Sequence, residues 1–116
     1  MKRRFVEATR FTAERERMEH AGELTHDDLV ALEQSILANP EAGDLVPGTG
    51  GFRKIRIAQR GVSRGKRGGA RVYYLDLPRA QVTHLLAIYG KRQQVDLSAA
   101  ERRALAAVAK LLKEET

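Results

Sequence analysis

The chain has 116 residues, of which 42% are apolar and 31% are charged, so we expect one globular domain spanning residues 1–116 rather than a disordered segment. It contains no cysteine, which excludes disulfides and cysteine-ligated metals and favours a cytoplasmic protein. Residues 1–10 lack the apolar stretch of a signal peptide, and the longest apolar run, residues 85–89, is too short to span a membrane.

The first half of the chain predicts a short strand followed by two helices. The strand covers residues 5–8, and an amphipathic helix at residues 10–20 is ended by Gly22. Thr25 and Asp28 have the spacing of a capping box and start a second helix, which Pro40 stops. The apolar side chains of this helix fall on one face: Leu29, Leu32, Ile36 and Leu37.

The second half predicts three consecutive strands and a closing helix. A loop with tight turns at residues 41–51 leads to strands at 52–58, 71–77 and 82–89, with a long hairpin loop at 59–69. Ser98 and Glu101 form a second capping box, and the helix that follows has an apolar stripe of Leu105, Val108, Leu111 and Leu112. The order β-α-α-β-β-β-α predicts an α+β fold, with a small antiparallel sheet, an N-terminal helical hairpin and a C-terminal helix.

Basic residues are concentrated in the strand region. Residues 52–97 contain 11 basic and 2 acidic side chains, whereas residues 1–51 contain 6 basic and 10 acidic ones. The stretch 52–71 holds eight basic side chains and no acidic one. A patch of this sign and density indicates a phosphate-rich partner, which is most commonly a nucleic acid.

Several of these cations are expected to share one surface. Lys54 and Arg56 are two residues apart on a strand and therefore project from the same face. Arg71 opens the neighbouring strand, and Lys91 and Arg92 follow the end of the last one. We expect a concave, positively charged surface whose binding weakens steeply with salt; the alternative is a solvated basic face.

The strands also carry three tyrosines. Tyr73 and Tyr74 are adjacent and so face opposite ways, which means that only one of them belongs to the core. Tyr89 shares strand parity with Lys91, which favours a position beside the basic groove, where a tyrosine ring can stack on a base. The alternative is a sheet tyrosine with its hydroxyl at the rim.

Other chemistries have little support in the sequence. The three histidines, His20, His26 and His84, do not cluster, and the glycine-rich pieces 48–51 and 64–69 lack P-loop spacing. The acidic residues near the basic strands are Asp76 and Asp96, too few for a metal-dependent nuclease, so no metal or other cofactor is expected. Cations do suit metal-free cleavage of RNA, in which the 2′-OH attacks the adjacent phosphate while Arg and Lys align the groups and offset the charge.

Three segments resemble the RelE/HigB family of bacterial toxins from type II toxin–antitoxin modules: NPEAGDLVPGTGGFRKIRIA, GKRGGARVYYLDL and LLAIYGKRQQVDLSAAERRAL. They occur in the family's order and spacing and, with the residues between them, cover most of the chain. The resemblance implies a RelE-like domain and a ribosome-dependent mRNA endoribonuclease (an mRNA interferase) that stops translation by cutting codons in the A site of the 30S subunit, beside 16S rRNA. It also implies a cognate antitoxin, typically a helix-turn-helix protein, through which the toxin contacts DNA.

The resemblance also suggests roles for individual residues. The residues matched to the family's basic positions are Lys54, Arg56, Arg71, Lys91 and Arg92. The candidate catalytic residues are Lys54, Arg56, Arg71, Lys91 and Tyr89, where Tyr89 has no counterpart in the family pattern and would substitute for its tyrosine from the strand. The basic patch and the strand tyrosines, rather than the resemblance alone, supply the residues expected to bind RNA: Arg53, Arg60, Arg64, Lys66, Arg67, Tyr73 and Arg92. The chain departs from the family in two places, because no tyrosine follows Tyr89 where some members have a catalytic one, and because Arg67 replaces a small residue. The general base and the general acid therefore stay unassigned.

Two other functions fit the same sequence. A ParE-like toxin of the same fold would inhibit DNA gyrase without cleaving RNA, and a non-catalytic module would only bind RNA. The density of cations in the strands favours the ribonuclease.

Overall fold

The computed structural model describes residues 3–57, 69–90 and 97–115, which form an α+β fold with three helices and a five-stranded sheet. The elements in chain order are β1 (Arg4–Glu7), α1 (Thr9–His20), α2 (His26–Ala38), β2 (Asp44–Leu45), β3 (Arg53–Ile57), β4 (Ala70–Leu77), β5 (Val82–Tyr89) and α3 (Ala99–Glu114). The described residues contain one strand more than predicted, because β2 lies in a stretch expected to be a loop.

The sheet is mixed, with the strand order β1-β5-β4-β3-β2. β1 runs parallel to β5, with Arg4 beside Val82 and Glu7 beside Leu85, while the other neighbouring strands are antiparallel. The expectation of a wholly antiparallel sheet is therefore wrong. It rested on the three consecutive strands β3 to β5, whose short connections determine only their own pairing and leave the placement of β1 open.

Helices α1 and α2 pack against one face of the sheet. The predicted capping box of α2 is confirmed, since the Thr25 hydroxyl accepts a hydrogen bond from the Asp28 N–H (3.1 Å) and the Asp28 carboxylate accepts one from the Thr25 N–H (3.0 Å). The core on this side combines Phe11, Met18, Leu24, Leu29, Leu32 and Ile36 with the strand residues Ile57, Ala70, Val72, Tyr74, Leu85 and Ile88.

Tyr74 is the core member of the tyrosine pair and also anchors the chain that leads into β2. Its side chain is fully buried, and its hydroxyl accepts a hydrogen bond from the Gly43 N–H (2.9 Å) and donates one to the Pro40 carbonyl oxygen (2.8 Å). Burial raises the pKa of the Tyr74 hydroxyl, so it stays protonated and keeps both bonds.

Helix α3 packs on the opposite face of the sheet. Its predicted capping box is confirmed by hydrogen bonds between Ser98 and Glu101 in both directions (3.1 and 2.8 Å). The core on this side contains Phe52, Leu75, Leu77 and Ala109, flanked by Ala80, Leu86, Leu105, Val108 and Leu112. Leu111 was expected in the apolar stripe but is 60% exposed, because it lies about 200° around the helix from the buried Ala109.

Two cationic side chains of α3 bind the loop that precedes β3, and a glycine in that loop allows the close approach. Arg102 donates to the Pro47 carbonyl oxygen and Lys113 to the Gly50 carbonyl oxygen, both at 2.6 Å. Gly50 has φ +76°, and a Cβ atom there would lie 3.0 Å from the Ala109 Cβ. The loop can approach the helix this closely because residue 50 has no side chain.

Candidate nucleic-acid interface

Strand register brings the predicted cations together on one face of the sheet. Lys54 lies opposite Tyr73, and Arg56 lies opposite Arg71, which in turn lies opposite Tyr89. Directly opposed residues of antiparallel strands project from the same face. We call the surface formed by these five residues the cationic face.

The cationic face is the uncovered part of the sheet surface on which α3 packs. Along β4, Arg71 and Tyr73 belong to the cationic face, while Leu75 and Leu77, two and four residues further on, lie beneath α3. The alternate residues Val72 and Tyr74 point to the core formed with α1 and α2. β4 therefore supplies both residues that pack against α3 and two of the five residues of the cationic face.

A bulge in β5 brings Tyr89 onto this face. Tyr73 pairs with Ala87 but Tyr74 pairs with Leu85, so that Leu86 has no counterpart on β4. Simple alternation from Leu85, which faces α1 and α2, would put Tyr89 on that same side. The extra residue reverses the alternation, as β-bulges commonly do beside functional sites.

The two arginines of the cationic face oppose each other across the strands. Like charges in this arrangement destabilise a sheet. The exposed Arg56 and the half-buried Lys54 form no side-chain hydrogen bond or ion pair with any part of the chain that the structure describes. The Arg71 Nη1 donates to the Gly69 carbonyl oxygen (3.0 Å). Anionic groups that bind between β3 and β4 would relieve this repulsion.

Tyr73 supports Tyr89 rather than presenting a surface of its own. The two rings meet edge to face, with centroids 5.6 Å apart and an interplanar angle of 66°. Only 6% of Tyr73 is exposed, whereas Tyr89 is half-buried. This differs from the expectation that Tyr73 binds RNA directly, because so little of its ring is accessible to a base.

Arg53 lies on the other face of the sheet. It is opposite Tyr74, and its Nη1 donates to the carbonyl oxygens of Gly43 (2.7 Å) and Glu41 (3.3 Å). Strand alternation therefore separates Arg53 from Lys54 and Arg56, and its expected binding to RNA stays a prediction. Its contacts fix the segment before β2.

Six further predicted residues lie outside the residues that the structure describes. They are Arg60, Arg64, Lys66, Arg67, Lys91 and Arg92. Their assignments stay predictions from the sequence.

The carboxylates around the cationic face differ from those expected. Asp76 projects from the other face, where it pairs with Arg3 and accepts a hydrogen bond from the Thr83 hydroxyl (2.9 Å). Asp96 is outside the described residues. Asp44 was not anticipated, yet it lies directly opposite Lys54 and so at the edge of the cationic face. A two-residue strand has no periodicity by which sequence reasoning could have found it.

No protein-family model matches the chain. In the part of the chain that the structure describes, no group of three or more His, Cys, Asp or Glu side chains is arranged to hold a metal ion. Among the same residues, none of the helices has the length and apolar character to cross a membrane.

Proposed function

We propose that this chain is a RelE-like toxin of a type II toxin–antitoxin module and that it cleaves mRNA in the ribosomal A site. The observation that carries the proposal is the row Arg56–Arg71–Tyr89 across three strands, with Lys54 beside it. The proposed family rests on the resemblance of the three sequence segments described above. The mixed five-stranded sheet with helices on both faces is compatible with this assignment.

The cationic face has the charge needed to bind a phosphate that becomes more negative during reaction. Opposed arginines on β3 and β4 can contact the phosphate from two sides, and their planar guanidinium groups suit bidentate hydrogen bonding to its oxygens. Their mutual repulsion is offset when the anion binds. The site is therefore better matched to the RNA-bound state than to the free protein, as expected of a binding surface.

The proposed reaction uses the RNA's own nucleophile. The 2′-oxygen attacks the adjacent phosphorus, the bond from phosphorus to the 5′-oxygen breaks, and the products are a 2′,3′-cyclic phosphate and a 5′-OH. Arg56 and Arg71 offset the charge on the phosphorane, and Lys54 and Tyr89 serve the proton transfers from the 2′-OH and to the departing 5′-oxygen. DNA lacks the 2′-OH and is not a substrate of this route.

The proposed partners follow from the same family assignment. They are translated mRNA on the cytoplasmic ribosome, with 16S rRNA beside the A site, and a helix-turn-helix antitoxin that neutralises the toxin and carries the complex to its operator DNA. The net positive charge of residues 52–97 is suited to the ribosome, because rRNA is the densest polyanion near the A site.

Mapping RNA 5′ ends after brief induction in cells tests the proposal. Wild-type protein is expected to produce cuts in phase with codons on translated messages, and Arg71→Ala to abolish both the cuts and the toxicity. Arg103→Ala is the matched control, because it removes an exposed arginine of α3 on the outer side of that helix. Binding to the antitoxin and the far-UV circular dichroism spectrum should be the same for all three proteins.

Two results would favour the other functions. Intact RNA with induction of the DNA-damage response would indicate a gyrase inhibitor. RNA binding by the purified protein with no cuts on or off the ribosome would indicate a non-catalytic module. Full toxicity of Arg71→Ala would refute the site assignment even if codon-phased cuts were observed.

A further inference from the structure

Asp44 places a negative charge at the edge of a surface that is otherwise suited to phosphate. It lies directly opposite Lys54, which lies opposite Tyr73, so one row across β2, β3 and β4 reads Asp44–Lys54–Tyr73. Asp44 is exposed, and its carboxylate forms no hydrogen bond or ion pair with any of the residues that the structure describes. An approaching RNA therefore meets this carboxylate directly.

The backbone that carries Asp44 is tightly held. Side chains bind both backbone polar groups of Gly43, the residue before Asp44. The Gly43 N–H donates to the Tyr74 hydroxyl (2.9 Å), and the Gly43 carbonyl oxygen accepts a hydrogen bond from Arg53 (2.7 Å). A Cβ atom at Gly43 would lie 2.9 Å from both the Lys54 carbonyl oxygen and a ring carbon of Tyr74. Asp44 thus projects from a fixed position, as a residue that selects between ligands must.

A carboxylate in this position repels phosphate but accepts hydrogen bonds. RNA that follows the cationic face must therefore present a donor to Asp44, and the donors of RNA bases lie on their edges. Guanine offers two neighbouring donors, N1–H and the N2 amino group, which match the two oxygens of a carboxylate. Cytosine, adenine and uracil each offer fewer donors on the Watson–Crick edge.

We propose that Asp44 is a specificity-determining residue that reads the Watson–Crick edge of one RNA base next to the cleaved phosphate and favours guanine. The inference rests on the proposed ribonuclease function and deepens it by assigning a base preference to a named side chain. The repulsion of phosphate also contributes to selectivity, because it disfavours binding in registers that put the backbone at this position.

The simpler role would be that Asp44 only neutralises Lys54. The two side chains form no ion pair within 4.0 Å in the described structure, although they are directly opposite. A carboxylate that only neutralised Lys54 would weaken binding to all RNA sequences alike. The two roles therefore predict different results for the same substitution.

Asp44→Asn and Asp44→Ala test the proposal, with Glu41→Gln as the matched control. Glu41 is an exposed acidic residue of the same segment and is not in register with Lys54. We expect wild-type cuts to be enriched for guanine at one codon position. Asp44→Ala should lower that preference about tenfold, the size of one good bidentate base contact, and Asp44→Asn should shift it towards adenine. Glu41→Gln should keep the wild-type preference.

A binding measurement keeps this inference separate from the proposed function. Purified protein is titrated by fluorescence anisotropy with oligouridine and with oligouridine that contains a single guanine. Tighter binding of the guanine-containing strand, lost in Asp44→Ala, is the expected result whether or not the protein cleaves. Equal affinity for both strands, or a uniform gain in affinity with unchanged preference in Asp44→Ala, would overturn the inference. A guanine preference without any cutting in cells would refute only the ribonuclease.

Discussion

Replacing Arg56 by glutamine should make the protein more stable and less active. Arg56 lies directly opposite Arg71, is exposed, and has no ion-pair partner in the described part of the chain. Like charges in directly opposed positions of a sheet destabilise it by about 0.2–1 kcal/mol. Arg56→Gln is therefore expected to raise the free energy of unfolding by about that amount at low salt. The gain should nearly vanish at about 1 M salt, where the screening length falls to about 3 Å.

Urea unfolding at low and high salt measures this effect. Arg103→Gln on α3 is the matched control, because it removes one positive charge from an exposed helical position, and its stability should change little. A loss of stability in Arg56→Gln at low salt, or an equal gain at both salt concentrations, would show that the opposed arginines do not repel each other as described. Stabilisation by loss of a charge is the expected signature of a residue retained for binding.

Three further predictions concern packing and pH. Tyr74→Phe removes the hydroxyl that accepts a hydrogen bond from the Gly43 N–H and donates one to the Pro40 carbonyl oxygen. Because the buried N–H is left without its partner, the free energy of unfolding, measured in urea, should fall by about 1–3 kcal/mol. Gly50→Ala should lower Tm more than Gly22→Ala does. The two glycines have almost equal φ (+76° and +75°), but only an added Cβ at residue 50 meets α3. Equal losses of Tm would show that backbone strain explains both. Burial lowers the pKa of His84 from 6.5, against a smaller opposing effect of Glu115 and with a still smaller lowering effect of Arg4. As the pH falls, the unfolded state therefore takes up the proton before the folded state does. The free energy of unfolding should decrease as the pH drops below about 6.5, and His84→Gln should reduce this decrease when both proteins are unfolded in urea at about pH 5.

Local sequence signals were sufficient to locate the helices. Thr25 with Asp28 and Ser98 with Glu101 each satisfy the first backbone donors of a helix, and both capping boxes form as their spacing predicts. The alternation of apolar and basic residues in β3 similarly turns Ile55 towards the core and Lys54 away from it. These features depend only on residues that are close in sequence.

The features that could not be predicted depend on pairing between distant segments. The parallel position of β1 is determined by which edge of the sheet is available after β3, β4 and β5 have paired. The bulge at Leu86 occurs in a strand that is apolar on both faces, so the sequence contains no alternation that would show the reversal. β2 is too short to have a pattern, and for this reason Asp44 was missed. Arg53 lies on the other face from Lys54 because adjacent strand residues alternate, although the two are equal members of one dense cluster of charge in the sequence.

The cationic face combines two kinds of recognition, and salt dependence can separate them. Arg56 and Asp44 are both exposed and lie on the same face of neighbouring strands, but one carries the charge that binds phosphate and the other the charge that repels it. Each phosphate contact on single-stranded RNA contributes about 0.7 to the slope of log affinity against log salt, and a base contact contributes almost nothing. Arg56→Gln should therefore reduce the slope by about 0.7 and leave the base preference unchanged. Asp44→Asn should change the preference and leave the slope unchanged. If both variants alter the slope alone, Asp44 acts only through its charge, and the sheet binds RNA without reading its sequence.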